Sequence, residues 1–127
     1  NLLGIHVADC GALYLLDRKT GAIGLLHSGK KGTELNITKN AIQAMNLNFQ
    51  THPKDLVAVL GPCIRPPYYE VDFAQTIRDQ AIRSGVLPEN FHDCALCTAS
   101  DLKRFYSYRR EKGNTGRHLA LLGHYAL

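Results

Sequence analysis

Hydrophobic positions in the first third of the chain fall into two short runs separated by turn chemistry. Residues 13–16 form one run and residues 22–26 the other, with Asp17-Arg18-Lys19-Thr20-Gly21 between them. This pattern predicts two strands bracketing a turn. If the strands pair as a hairpin, Cys10 before the first and His27 at the end of the second return side by side. Further on, Leu35, Ile37, Ala41, Ile42 and Met45 follow helical spacing, which predicts a helix from an N-cap at Thr33 to about Asn46. A polar loop over 46–53 then leads to a buried strand over 55–60, stopped by Gly61-Pro62.

The second half reads as an extended segment over 66–71 and a helix over 72–84. That helix turns Phe73, Ile77, Ala81 and Ile82 inward and ends at Gly85. A strand is predicted over 91–98, then a loop or short helix from Ser100 or Asp101 carrying Phe105 to Arg110. A polar loop over 111–116 and a final apolar strand over 118–123 complete the pattern. Strands and helices do not alternate regularly, so the expected class is α+β, a mixed sheet with flanking helices.

Composition adds bounds. The 127 residues suit one domain, 1–127, with a real core, and 45% apolar with 20% charged residues is ordinary for a globular chain. No apolar run approaches the roughly 20 residues a membrane-spanning helix needs, and the start lacks the basic region of a secretory signal. Of the four cysteines, Cys94 and Cys97 form C-x-x-C without a second such pair, which argues against a zinc ribbon. Their strand-like flanks argue against a redox motif, and Cys63 behind Gly61-Pro62 reads as a buried residue. All four are expected to be reduced and a cytoplasmic setting follows.

The net charge of +4 sits late, in Lys103, Arg104, Arg109, Arg110, Lys112 and Arg117, interleaved with Phe105, Tyr106 and Tyr108. Such a segment serves as a nucleic-acid surface, a solvated basic face, or the wall of a pocket for an anionic or purine ligand. No nucleic-acid motif accompanies it.

The chemistry concentrates near Cys10 and His27. A thiolate beside an imidazole suits a zinc or copper site, or a Cys-His nucleophilic pair. Asp9, a charge wedged between apolar runs, requires a partner if buried. His27 is followed by Ser28-Gly29-Lys30-Lys31-Gly32-Thr33, whose glycines leave backbone N–H groups for an anion.

Several segments together resemble one known family. Ala8-Asp9-Cys10, the two strands, the H-x-G-x-x-G-T segment from His27, G-P-C-I from Gly61, Tyr69-Glu70-Val71, Cys97-Thr98, Phe105 to Arg110 and Thr115-Gly116-Arg117 occur in the order found in YfiH-type proteins. These are also called laccase-domain or multicopper polyphenol oxidoreductase proteins, and are re-read as purine nucleoside-processing enzymes. The resemblance implies their fold, which is similar to that of bacterial toxin deamidases. It also implies a zinc or copper ion on one Cys and two His, with Cys10 and His27 as two of those ligands and as catalytic residues. The first His of the family lies in an upstream Q-V-H-G-like segment that this chain does not contain. Together with a first residue that is not Met, this leads to the expectation that an N-terminal portion is absent.

The sequence also departs from the family. Ala12 stands where a Pro is usual, Lys30 and Lys31 replace Trp and Arg in H-A-G-W-R-G, and the stretch from Val71 to Arg78 is shorter. The activity implied is phosphorolysis of adenosine, inosine or methylthioadenosine, with adenosine deamination beside it. Gly29, Gly32, Arg109 and Arg117 are the expected contacts to phosphate or ribose, and purine nucleoside and phosphate the partners. A metal-independent Cys-His hydrolase, a copper-dependent phenol oxidase and a non-catalytic relative remain alternatives. Multicopper oxidation requires many His ligands, and the chain has six.

Overall fold

A computed structural model describes residues 1–125. Six strands and three helices follow one another in the chain. They are β1 Leu2–Val7, β2 Gly11–Asp17, β3 Ile23–Ser28, α1 Lys30–Glu34, α2 Ile37–Phe49, β4 Leu56–Leu60, α3 Phe73–Arg83, β5 Phe91–Asp93 and β6 His118–Gly123. Four strands form one mixed sheet in the order β3-β2-β4-β5, antiparallel except for the parallel β4/β5 pair. The remaining two, β1 and β6, make an antiparallel ribbon. This is the α+β arrangement expected.

Alternation along the strands explains the layering. Leu13 and Leu15 of β2, and Leu56, Ala58 and Leu60 of β4, point to the same side and are fully buried. They pack against Ile42 and Met45 of α2 and Phe73, Ala74, Ile77 and Ala81 of α3. The ribbon covers part of the sheet's opposite face, where Val7 and Ala120 meet Ala12, Tyr14 and Leu25.

The predicted hairpin forms, with Ala12 opposite His27 and Gly11 opposite Ser28. Its turn is closed by Asp17. The carboxylate accepts from Lys19 N–H at 2.9 Å and from the Thr20 hydroxyl at 2.7 Å.

Four expectations need correction. The helix predicted from Thr33 is two helices, because the Thr33 hydroxyl is engaged with Ser28 Oγ at 2.7 Å instead of capping. Asn36 adopts φ +54 and its side chain caps α2 through Lys39 N–H, a left-handed step that Asn tolerates better than most residues. Leu35 falls at that break and is exposed, and α2 runs to Phe49, past the predicted end. The strand predicted over 91–98 ends at Asp93. There Arg65 takes both carboxylate oxygens and the Leu96 carbonyl, and Ala95 turns at φ +61. Finally, residues 66–71 are turns and bends, not an extended segment, as the Tyr68 N–H to Arg65 O bond shows.

Candidate functional site

The corner between β1 and β2 is where the site is built. Asp9 sits there at φ +86, a conformation costing a non-glycine residue on the order of 1–3 kcal/mol unless its surroundings impose it. They do. Its carboxylate accepts from the Thr98 hydroxyl and from Arg109 N–H, both at 2.7 Å, and its carbonyl from Ile64 N–H at 2.8 Å. One buried residue thus ties together three segments distant in sequence, two through its carboxylate and one through its carbonyl, and has the partners a buried charge requires.

Cys10 follows that corner, and His27 ends β3 across the hairpin. Between them lies Gly29. A Cβ placed on it would lie 2.5 Å from Cys10 Sγ and 3.8 Å from His27 Nε2, so both donor atoms crowd the space the glycine leaves open. Cys10 and His27 line one cleft of about 530 Å³, a size ordinary for a small-molecule site. Burial and then the Asp9 carboxylate push the Cys10 thiol above its ordinary pKa, while Arg117 pulls the other way. The His27 ring is exposed and forms no hydrogen bond among the described residues.

The far wall of the cleft comes from Tyr69 and Phe73, stacked with centroids 5.2 Å apart, and from the turns carrying Tyr108, Arg109, Lys112 and Arg117. Arg109 lies over the Tyr69 ring at 4.8 Å and meets Glu70 at 3.2 Å. Arg117 lies over Tyr108 at 5.4 Å and donates to its own turn at the Gly116 carbonyl. Glu111 braces this segment. It accepts from Ser107 N–H and the Thr115 hydroxyl, and these bonds hold its carboxyl below the usual range.

Arg109 and Arg117 therefore share the cleft with Cys10 and His27. Arg110 does not line it and reaches the Ala99 carbonyl at 2.6 Å. Neither Gly29 nor Gly32 lines the cleft; Gly29 lies against Cys10 Sγ, and Gly32 packs against the His27 backbone. Tyr69 lines the cleft and Tyr68 faces Arg110. Sequence reasoning missed His6 and Lys30 as lining residues, while Lys112 belongs to the basic segment weighed as a pocket wall. For His6 the signal was a polar residue alternating with Ile5 and Val7 in β1.

The other cysteines differ in kind. Cys63 is fully buried and its thiol is pushed up to about 12, chiefly by that burial. Cys94 and Cys97 are free thiols.

Cys10 and His27 suit zinc or copper by donor type and placement, but a zinc centre requires at least three protein ligands. Among the described residues no group of three His, Cys, Asp or Glu side chains is arranged to hold a metal. Cys10 and His27 alone therefore do not complete a metal centre.

The fold and cleft define an α+β protein with a Cys–His pocket walled by arginine and tyrosine. Residues 1–75 and 71–124 match the family described as multi-copper polyphenol oxidoreductase laccase, and the chain belongs to that family. The two matched segments meet at 71–75, next to the stretch read as shortened. A purine nucleoside phosphorylase of Staphylococcus aureus (strain MSSA476) is 33% identical over 96% of this chain and 56% of its own length. Purine nucleoside phosphorylase YlmD of Bacillus subtilis is 29% identical over 95% of this chain and 54% of its own. The crystal structure of YlmD from Geobacillus stearothermophilus superposes with a TM-score of 0.89 at 26% identity, covering 96% of this chain and 56% of that one. The chain thus spans just over half the length of these relatives. No helix among the described residues is long and apolar enough to cross a membrane.

Proposed function

We propose that the cleft binds a purine nucleoside and phosphate, and that this chain is the metal-binding and substrate-binding domain of a purine nucleoside phosphorylase. The observation that carries this reading is the convergence of Cys10, His27, Tyr69, Tyr108, Arg109 and Arg117 on one cleft. Relatives named for the activity support it. The Tyr69 and Tyr108 faces are flat apolar surfaces against which a purine stacks. Arg109 and Arg117 are permanently charged forks for phosphate oxygens, each such contact contributing on the order of 1.5–3 kcal/mol. Their stacking on tyrosine rings restricts the guanidiniums before ligand arrives, which lowers the entropy lost on binding.

In this reading Cys10 and His27 supply two ligands of a zinc ion, with a third from beyond the described residues. Bound there, zinc would act as a Lewis acid toward water or a substrate oxygen. A metal-free Cys-His nucleophile would need its base held in place by a third group, and the His27 ring has no hydrogen-bond partner among the described residues. Adenosine, inosine and methylthioadenosine are the proposed substrates, with deamination of adenosine secondary.

The test is phosphate-dependent release of free base from inosine, with zinc supplied and then removed by a chelator. Activity that disappears on chelation and returns with zinc is expected. Turnover that survives full metal removal would establish the metal-independent alternative.

A further inference from the structure

Two cysteines that do not line the cleft stand next to the groups that hold its corner. Cys63 and Cys97 are bridge partners on neighbouring parallel segments. Their pairing is flanked by Cys63 N–H to Leu96 O at 3.3 Å and Thr98 N–H to Cys63 O at 3.2 Å. Directly paired residues on adjacent strands present their side chains on one face, with backbones about 4.8 Å apart. That spacing falls inside the Cα range a disulfide accepts, roughly 4.4–6.8 Å. Both thiols are free. Cys63 is fully buried in the core, and Cys97 is half-buried and packed against the same cluster.

Each of the two is followed by a residue that holds Asp9. Ile64 N–H donates to the Asp9 carbonyl at 2.8 Å, and the Thr98 hydroxyl donates to its carboxylate at 2.7 Å. Cys94, the other half of the C-x-x-C pattern, is placed differently. It is exposed, its N–H donates to Leu60 O, and no hydrogen-bonded turn among the described residues brings it back to Cys97. Asp93 pairs with Leu60, so the segment from Asp93 to Cys97 holds one residue more than the one from Leu60 to Cys63. A bulge at Ala95, with φ +61, takes up that residue and sets Cys97 opposite Cys63.

We infer that Cys63 and Cys97 form a redox modification site, which a small-molecule disulfide converts into a cross-link that locks the Asp9 corner. Cys97 is the point of entry, because its thiol is the less buried of the two. Its thiolate attacks one sulfur of the small disulfide, giving a mixed disulfide and releasing one thiol. Cys63 then gives up its proton and attacks the Cys97 sulfur, and the second small thiol leaves. The two protein thiols are oxidised, the small disulfide is reduced, and both protons end on the released thiols. Burial pushes the Cys63 thiol up to about 12, which makes this second step the slow one. The site stands apart from the purine reading, and its test requires no nucleoside.

The experiment is incubation of the reduced chain with oxidised glutathione, followed by thiol counting in denaturant, peptide mapping and thermal unfolding. The count is expected to fall from four to two, with Cys63 and Cys97 joined in one mapped species. The midpoint should rise by about 10 °C and return on reduction, because the link closes a loop in the unfolded chain. Cys94→Ser should keep both the link and the rise. Cys97→Ser, a change at a half-buried position, should lose both while its own midpoint stays near that of the reduced chain. A Cys94–Cys97 link, glutathione adducts without a cross-link, or a count that stays at four would each overturn the inference. So would a Cys63–Cys97 link that lowers the midpoint, because the corner would then be strained and not locked.

Discussion

The two ends of the β2–β3 hairpin are built from similar residue types and do opposite things. At the turn, Asp17 is almost fully buried and wholly satisfied. Burial pushes its carboxyl up, but hydrogen bonds from the Thr20 hydroxyl and the N–H groups of Lys19 and Thr20 outweigh this and hold the pKa at about 2. At the open end, Asp9 is also buried and bonded, but its partners belong to remote loops and its backbone is held at φ +86. The residues beside it are left unsatisfied, with Cys10 raised by burial and the His27 ring exposed. One end uses its polar groups to close the chain. The other uses a carboxylate to assemble a cleft whose remaining groups wait for a ligand, a pattern expected where local strain is retained at a functional site.

The largest effect should come from removing the device that assembles the cleft. Asp9→Ala leaves the Thr98 hydroxyl and Arg109 N–H without their acceptor, and is expected to lower stability by about 3 kcal/mol in urea unfolding. Nucleoside binding should be lost with it. A variant that is destabilised yet binds normally would show that the open end is also only structural.

Next is the turn. Asp17→Asn should lower stability at neutral pH by on the order of 1–2 kcal/mol, solvent near the turn keeping it below the full linkage value. The sign follows from the depressed native pKa. Unfolded, the carboxyl titrates near ~3.9, so its contribution is present above that pH and is lost as pH falls toward about 2. Asp17→Asn should therefore flatten the acid limb of the stability profile between these values, while ligand affinity at neutral pH stays the same.

How far these two ends were legible in the sequence differs as they do. The turn was plain, because Asp17 to Gly21 acts through neighbours within five residues. Cys10 and His27 meet by strand register, which period-two alternation and a turn position together define. The loops were not legible. Residues 105–110 were read only as part of a loop or short helix, because Ser107, Glu111 and Thr115 close the segment through side-chain bonds that no periodicity records. Lys112 enters the cleft for the same reason. Similarly, the break at Asn36 depends on the Thr33 hydroxyl being taken by Ser28, a tertiary event hidden in a helix-like pattern.

The smallest expected effects on folding separate the neighbouring arginines. Arg109→Lys and Arg117→Lys should each raise the KM for phosphate about 10-fold, since an ammonium cannot reproduce a planar fork, with thermal midpoints nearly unchanged. Arg110→Lys should do the reverse. It gives up the 2.6 Å bond to the Ala99 carbonyl and the Tyr68 contact, for a stability loss below about 1 kcal/mol and no change in KM.

The most direct test of the central claim pairs one residue from each end of the hairpin. Phosphate-dependent release of hypoxanthine from inosine is measured on His27→Ala and Asp17→Asn, each alongside its thermal midpoint. His27→Ala is expected to abolish release with the midpoint unmoved, because the ring is exposed and has no hydrogen bond among the described residues. Asp17→Asn should lower the midpoint and leave release by the folded protein unchanged. Release that continues undiminished in His27→Ala would contradict the assignment of function to the open end.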